Sequence, residues 1–290
     1  MVKLAREGRK VFTSKKTMLN KEKKIVILVV PGFLTASKHA SSTISELFFD
    51  AFFLNLPEEL NETLRLFLKG EIDEDEVWQD YASLTESSEP VVHATRRWFS
   101  PMLNALRKRF KEKAFDLYCY EEAQKHKEAN QLLEEQLYLE FKCKVTGKLF
   151  LDEWKHIIKK CLDANNKSSI SRKIIVNVND YSSVCILSRG RVRAFRQNLG
   201  GRKVKIKYIY HYWRPPLESL LILSSIYDID KMPEEIFKDC IKQHLNYVEF
   251  ILQAESLDSA HEKWVKSLSL RRKKLFRSKD KSDEEAYNFY

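Results

Sequence analysis

Glycine is scarce in this chain of 290 residues: seven in all, with seven prolines. That scarcity excludes collagen-like and glycine-rich low-complexity classes. The phosphate-cradling fingerprints GxGxxG and GxxxxGK[ST] are missing, as are GxSxG, HExxH and an EF-hand loop, which removes the commonest motif-defined enzyme classes. Five cysteines (Cys119, Cys143, Cys161, Cys185, Cys240) lie at least 18 residues apart without a CxxC pair. Neither a zinc ribbon nor a disulfide framework follows, and reduced thiols fit best. The seven histidines are scattered singly, so no metal site is expected and no cofactor is implied. No apolar run reaches the ~18 residues of a membrane span, and the first, Ile25 to Val30, is too short and too late for a signal peptide. The expectation is a cytoplasmic protein with no membrane span.

What is present is core material and positive charge. Hydrophobic residues make up 43%, aromatics 12% and charged residues 32%, the profile of an ordered globular protein. A net charge of +10 raises the local concentration of anionic partners such as nucleic acid or nucleotides. Abundant Lys, Arg and Glu with little glycine also suit a thermophile.

Hydrophobic patterning predicts an α/β fold, a mostly parallel central sheet flanked by helices, with a helical insertion and a helical C-terminal part. Residues 1–24 carry nine Lys or Arg against two Glu and read as a basic arm. A single α/β domain is expected over 25–260, with the helical insertion at about 57–113 and a possible seam near 165–170. From 261 to 290 a charged, mobile tail is expected. Ile25 to Val30 reads as a strand buried on both faces, followed by a loop and then a helix capped by Ser41, Ser42 and Thr43 and running through ISELFFDAFFLNL. Asp116–Tyr120, Lys173–Asn179 and Val184–Leu187 are further strands. Helices are expected at about 91–113, 123–142, 151–165 and 191–199, then after Pro215-Pro216 and after Pro233. From Lys203 to Trp213 the residues alternate, with Val204, Ile206, Tyr208, Tyr210 and Tyr212 on one face and Lys205, Lys207, His211 and Trp213 on the other.

Ser188 to Arg214 holds nine Lys and Arg and no Asp or Glu, a balance that calls for an anion or for acids from elsewhere. Its candidate phosphate ligands are Arg189, Arg191, Arg193, Arg196, Lys205, Lys207 and His211, with Gly190 admitting close backbone approach and Ser41 at a helix start. Strands ending at Val30, Tyr120 and Leu187, if parallel, would bring His39, Glu121 and Glu122 to the same edge as an acid–base set. His211-Tyr212-Trp213-Arg214 with Tyr247 resembles the HxxR and nucleophile tyrosine of tyrosine recombinases, but Pro215-Pro216 follows where that family continues into a helix. The pairing of His39 with Glu121 resembles the TraB and erythromycin-esterase-like hydrolases, over a few residues only, and neither likeness amounts to family membership. The leading functional expectation is nucleic-acid or nucleotide binding through 188–214. The alternatives are a hydrolase of phosphorylated or other anionic substrates, with Glu121 and His39 as acid and base and Arg189 and Arg191 as clamp, and a basic subunit docking an acidic protein.

Overall fold

The computed structural model describes residues 24–166, 182–188, 192, 195 and 204–278. Its centre is a sheet of five parallel strands, β1 (Ile25–Val29), β2 (Ala51–Pro57), β3 (Asp116–Glu121), β4 (Ser183–Leu187) and β5 (Val204–Tyr208), in the order β3-β2-β4-β1-β5. β1 lies between β4 and β5, with Ile27 level with Cys185 on one side and Ile206 on the other. Strands covered on both faces need apolar residues at every position, which the run IVILV supplies. Side chains alternate cleanly: Leu28, Phe52, Leu54, Leu117, Val184 and Ile186 enter the core on one face. Ile25, Ile27, Val29, Phe53, Cys185 and Leu187 enter a second core on the other, where they meet Val192 and Phe195, both helical and buried as the expected stripe requires.

Nine α-helices lie among the described residues. The first face is covered by α1 (Leu34–Glu46), α2 (Asn61–Lys69), α3 (Glu74–Thr85) and α4 (Glu89–Glu112). A capping box between Asp73 and Glu76 starts α3, and Gly70, at φ 85°, ends α2 in the left-handed conformation that glycine adopts without cost. Ala36 and Ala40, both fully buried, let α1 lie close against α4. After β3 come α5 (Ala123–Thr146) and α6 (Leu151–Asn166), and after β5 come α7 (Pro216–Ile226), α8 (Glu234–Leu252) and α9 (Leu257–Ser278). Helices α5 to α8 share a third core around Trp154, Ile158, Leu220, Phe237 and Ile241.

Four local expectations are corrected. Helix α1 begins at Leu34, not at Ser41–Thr43, and its N-cap residue Phe33 makes no side-chain cap. Residues 51–57, expected to continue that helix, form the interior strand β2; Phe52, Phe53 and Leu54 are buried between two helical layers, and such a strand shows no alternation to distinguish it from a buried helix. The alternation from 203 to 213 stops at Tyr208: β1 ends at Val29, whose carbonyl takes the Ile209 amide at 3.1 Å as a last bond, and Ile209, Tyr210 and Tyr212 turn onto the α1 core rather than the face of Val204 and Ile206. Residues 261–278, expected to belong to a mobile tail, continue α9, with His261 and Trp264 buried. The expected strand at 173–179, most of the helix at 191–199, residues 1–23 and residues 279–290 lie outside the described residues.

Candidate functional site

All five strands point the same way, so their carboxyl ends share one edge. From β1 the chain travels past β4 to β2, whereas β4 and β5 flank β1, so the connection after β4 goes the opposite way. The β1 and β4 exits therefore form the topological switch point, the position at which open α/β sheets open a ligand crevice.

At the β1 exit an internal carboxylate already occupies the helix N-terminus. Asp258, at the start of α9, accepts hydrogen bonds from the backbone N–H of Leu34 (3.1 Å) and of Thr35 (2.8 Å), two of the orphan donors of α1. Burial opposes ionisation of Asp258, but the Thr35 hydroxyl and these amides outweigh it and hold the carboxyl below its usual range. Phe33 packs on His261 at 4.7 Å and on Tyr212 at 5.3 Å, which closes the loop from above. Burial lowers the His261 imidazole against the opposing pull of Asp258 and Glu262. Its Nδ1 faces the Tyr247 hydroxyl at 3.3 Å, and burial, with Asp258 and Glu218 adding, pushes that phenol up to about 12. The cluster thus holds a neutral imidazole and a protonated phenol around a fixed carboxylate, an arrangement that locks α9 onto the sheet. Tyr212 donates to Glu218 at 2.7 Å on its rim.

Of the acid–base set, Glu121 ends β3 and is buried, while Glu122 precedes α5, exposed, with Lys125 at 3.8 Å. His39 lies in the second turn of α1, exposed, its ring edge-on to Tyr210 at 5.9 Å on the β5 side. β1 and β3 are three positions apart in the sheet, about 14 Å at normal strand spacing, so the structure does not bring His39 and Glu121 together. Ser41 also lies inside α1, where its carbonyl accepts from the Ser45 hydroxyl.

His126, five residues after Glu121, is absent from the candidates that the sequence suggests. This residue is one turn into α5, with Tyr81 Oη 3.3 Å from its Nδ1; burial pushes the imidazole down to about 4, partly offset by a hydrogen bond to the Asn55 backbone. A histidine just after a strand's carboxyl end is a visible signal, but its partner is not, because the run AFFLNL does not show by its pattern that Asn55 belongs to a strand. Asn55 Oδ1 is buried with no partner among the described residues.

The cationic candidates divide. Arg189, Gly190, Arg191, Arg193 and Arg196 lie outside the described residues. Lys205 and Lys207 stand on β5, the last strand on its side of the described sheet, level with Val26 and Leu28 and so on the α1 face. Lys205, His211 and Arg214 are exposed, and Tyr208 and Trp213 retain 49% and 51% of their surface in solvent. Among the described residues no group of three His, Cys, Asp or Glu is placed to hold a metal ion, and no helix is long and apolar enough to cross a membrane. No family model, curated protein or solved structure matches the chain.

Proposed function

We propose that the protein binds nucleic acid along the β5 margin of the sheet. Lys205, Lys207 and Arg214 contact phosphates there, and the arginines at 189, 191, 193 and 196, adjacent in sequence, supply further charge. The observation that carries this reading is that the last strand on its side of the described sheet and the segment after it expose cations interleaved in sequence with Tyr208, His211 and Trp213, in a run from 188 to 214 without one acid. Lysines on an edge strand also discourage strand-to-strand association. Half-exposed Trp213, next to exposed Arg214, adds nothing to that protection, whereas a flat aromatic beside a cation suits unstacked bases. Single strands are therefore the preferred substrate class. The hydrolase alternative draws no support from the separate positions of His39 and Glu121.

The test is a salt titration of binding to single-stranded RNA, single-stranded DNA and duplexes of one length. Binding to single strands should weaken log-linearly with salt, by about 0.7 per phosphate contact. No binding at low salt, or an affinity indifferent to salt, refutes the proposal.

A further inference from the structure

Helix α5 is apolar on two opposite sides, and the fold uses one of them. Its inner side places Leu139 and Cys143 in the third core. Its outer side exposes Leu133 (40%), Leu137 (51%), Tyr138 (67%), Phe141 (65%) and Val145 (68%). At 100° per residue these five fall on an arc centred opposite the inner stripe. A surface helix normally turns charge to solvent there, and a contiguous patch on the order of 600 Å² is at the upper limit for a monomer.

The order of residues along this stripe identifies what covers it. Counting from Phe141, Leu137 and Val145 stand four residues to either side, and Glu134 and Lys148 seven to either side. A helix laid antiparallel on α5 about a two-fold axis through Phe141 therefore brings Leu137 level with Val145 of the other copy; α5 ends at Thr146 and the chain turns at Gly147, which leaves Lys148 just past the helix end, beside the turn that carries Glu134 of the other copy. The neighbouring charges have partners within the chain: Glu135 with Lys160, Lys142 with Glu153 and Lys144 with Glu249. Glu134 and Lys148 are exposed and make no ion pair among the described residues. Two such stripes together exceed the ~1,000 Å² that separates a specific interface from incidental contact.

We infer that the protein is a two-fold dimer held by antiparallel pairing of its α5 helices, with Phe141 at the axis and Glu134 of each copy against Lys148 of the other. This inference is independent of nucleic-acid binding, because the apolar stripe is unsuited to a polyanion and lies on a different part of the fold from β5.

Sedimentation equilibrium of the full chain from micromolar to sub-millimolar concentration tests it. The expected mass is twice the 34.3 kDa of one chain. The double variant Leu137→Glu, Phe141→Glu, altered only at exposed positions, should sediment as a monomer with an unchanged circular dichroism spectrum. Glu134→Lys and Lys148→Glu should each weaken the dimer about fivefold, and the two together should restore it. A wild type that stays monomeric throughout overturns the inference and assigns the stripe another cover. A dimer unaffected by Leu137→Glu, Phe141→Glu, or one that the paired charge reversal does not restore, overturns it as well.

Discussion

Replacing Asp258 with alanine probes the junction between the sheet and the C-terminal helices. The carboxylate spans 224 residues of sequence to bind the Leu34 amide at 3.1 Å and, from position 258 to 35, the Thr35 amide at 2.8 Å. Hydrogen bonds to a charged group contribute about 1.5–3 kcal/mol each when the donors are then left without partners. Here the amides of a half-exposed helix start regain water, so the loss falls towards the capping range of about 0.5–2 kcal/mol. The helix dipole adds about 0.3–1 kcal/mol. Asp258→Ala should therefore cost about 2 kcal/mol at pH 7, and Asp258→Asn, which keeps one neutral acceptor, about half of that. The pH dependence follows from the lowered carboxyl of Asp258. Its contribution is fully present above the unfolded aspartate value of about 3.9 and is lost as pH falls through the still lower folded value. Urea unfolding of wild type and variant, followed by circular dichroism at neutral and strongly acid pH, gives the two differences. The reasoning fails if Asp258→Ala lies within about 0.5 kcal/mol of wild type at pH 7, or if the difference does not shrink in acid.

Two further outcomes bear on the remaining sites. Lys205→Ala with Lys207→Ala should reduce the slope of log affinity for single-stranded RNA against log salt by about 1.4, while Trp213→Ala should cost about 1–3 kcal/mol of binding and leave that slope unchanged; an unchanged slope in the lysine variant removes β5 from the interface. The His126 imidazole, pushed down to about 4, is neutral in the folded chain where the unfolded chain takes up a proton. Stability should therefore fall as pH drops from about 6.5 towards 4, by up to about 1.4 kcal/mol per pH unit, and His126→Gln should flatten that window. A variant whose stability profile matches wild type there shows that His126 titrates normally.

The parts of the fold legible in the sequence were those with a local cause. β1 announces itself by a β-branched run ended by Pro31-Gly32, and α8 by Pro233 followed by an amphipathic stripe. Helix α1 was misplaced because its cap is not local. Ser41, Ser42 and Thr43 carry the side chains that a helix start needs, yet the amides that require a partner, those of Leu34 and Thr35, take it from Asp258. The same shift hid β2: once a helix was started at Ser41, the run AFFLNL seemed to continue it, whereas Asp50 marks a break and the Asp50 and Ala51 amides both bond to Ser182 beside β4. Strand order was equally out of reach. Parallel strands follow from their continuous apolar composition, but nothing in β3 or β4 states that β4 inserts between β2 and β1, and that insertion is what separates Glu121 from His39.

The Asp258 contact also bears on where an anion can be recognised. A doubly wound sheet offers two exits at its switch point, and the usual anion site is the helix N-terminus after the first strand. In this chain that N-terminus is filled by a carboxylate of the chain itself, and Phe33, Tyr212 and His261 close over the loop. A phosphate arriving at the β1 exit would have to displace Asp258 and would meet Glu218 on the rim beside Tyr212. On the proposed reading an anion is met by the acid-free run from Ser188 through β5 to Arg214 and not by the N-terminus of α1. On this argument Asp258→Ala opens a second anion site at the start of α1. Inorganic phosphate should raise the melting temperature of the variant by more than that of the wild type, because the cationic run at 188–214 responds alike in both, and equal shifts would show that removing Asp258 opens no site at the start of α1.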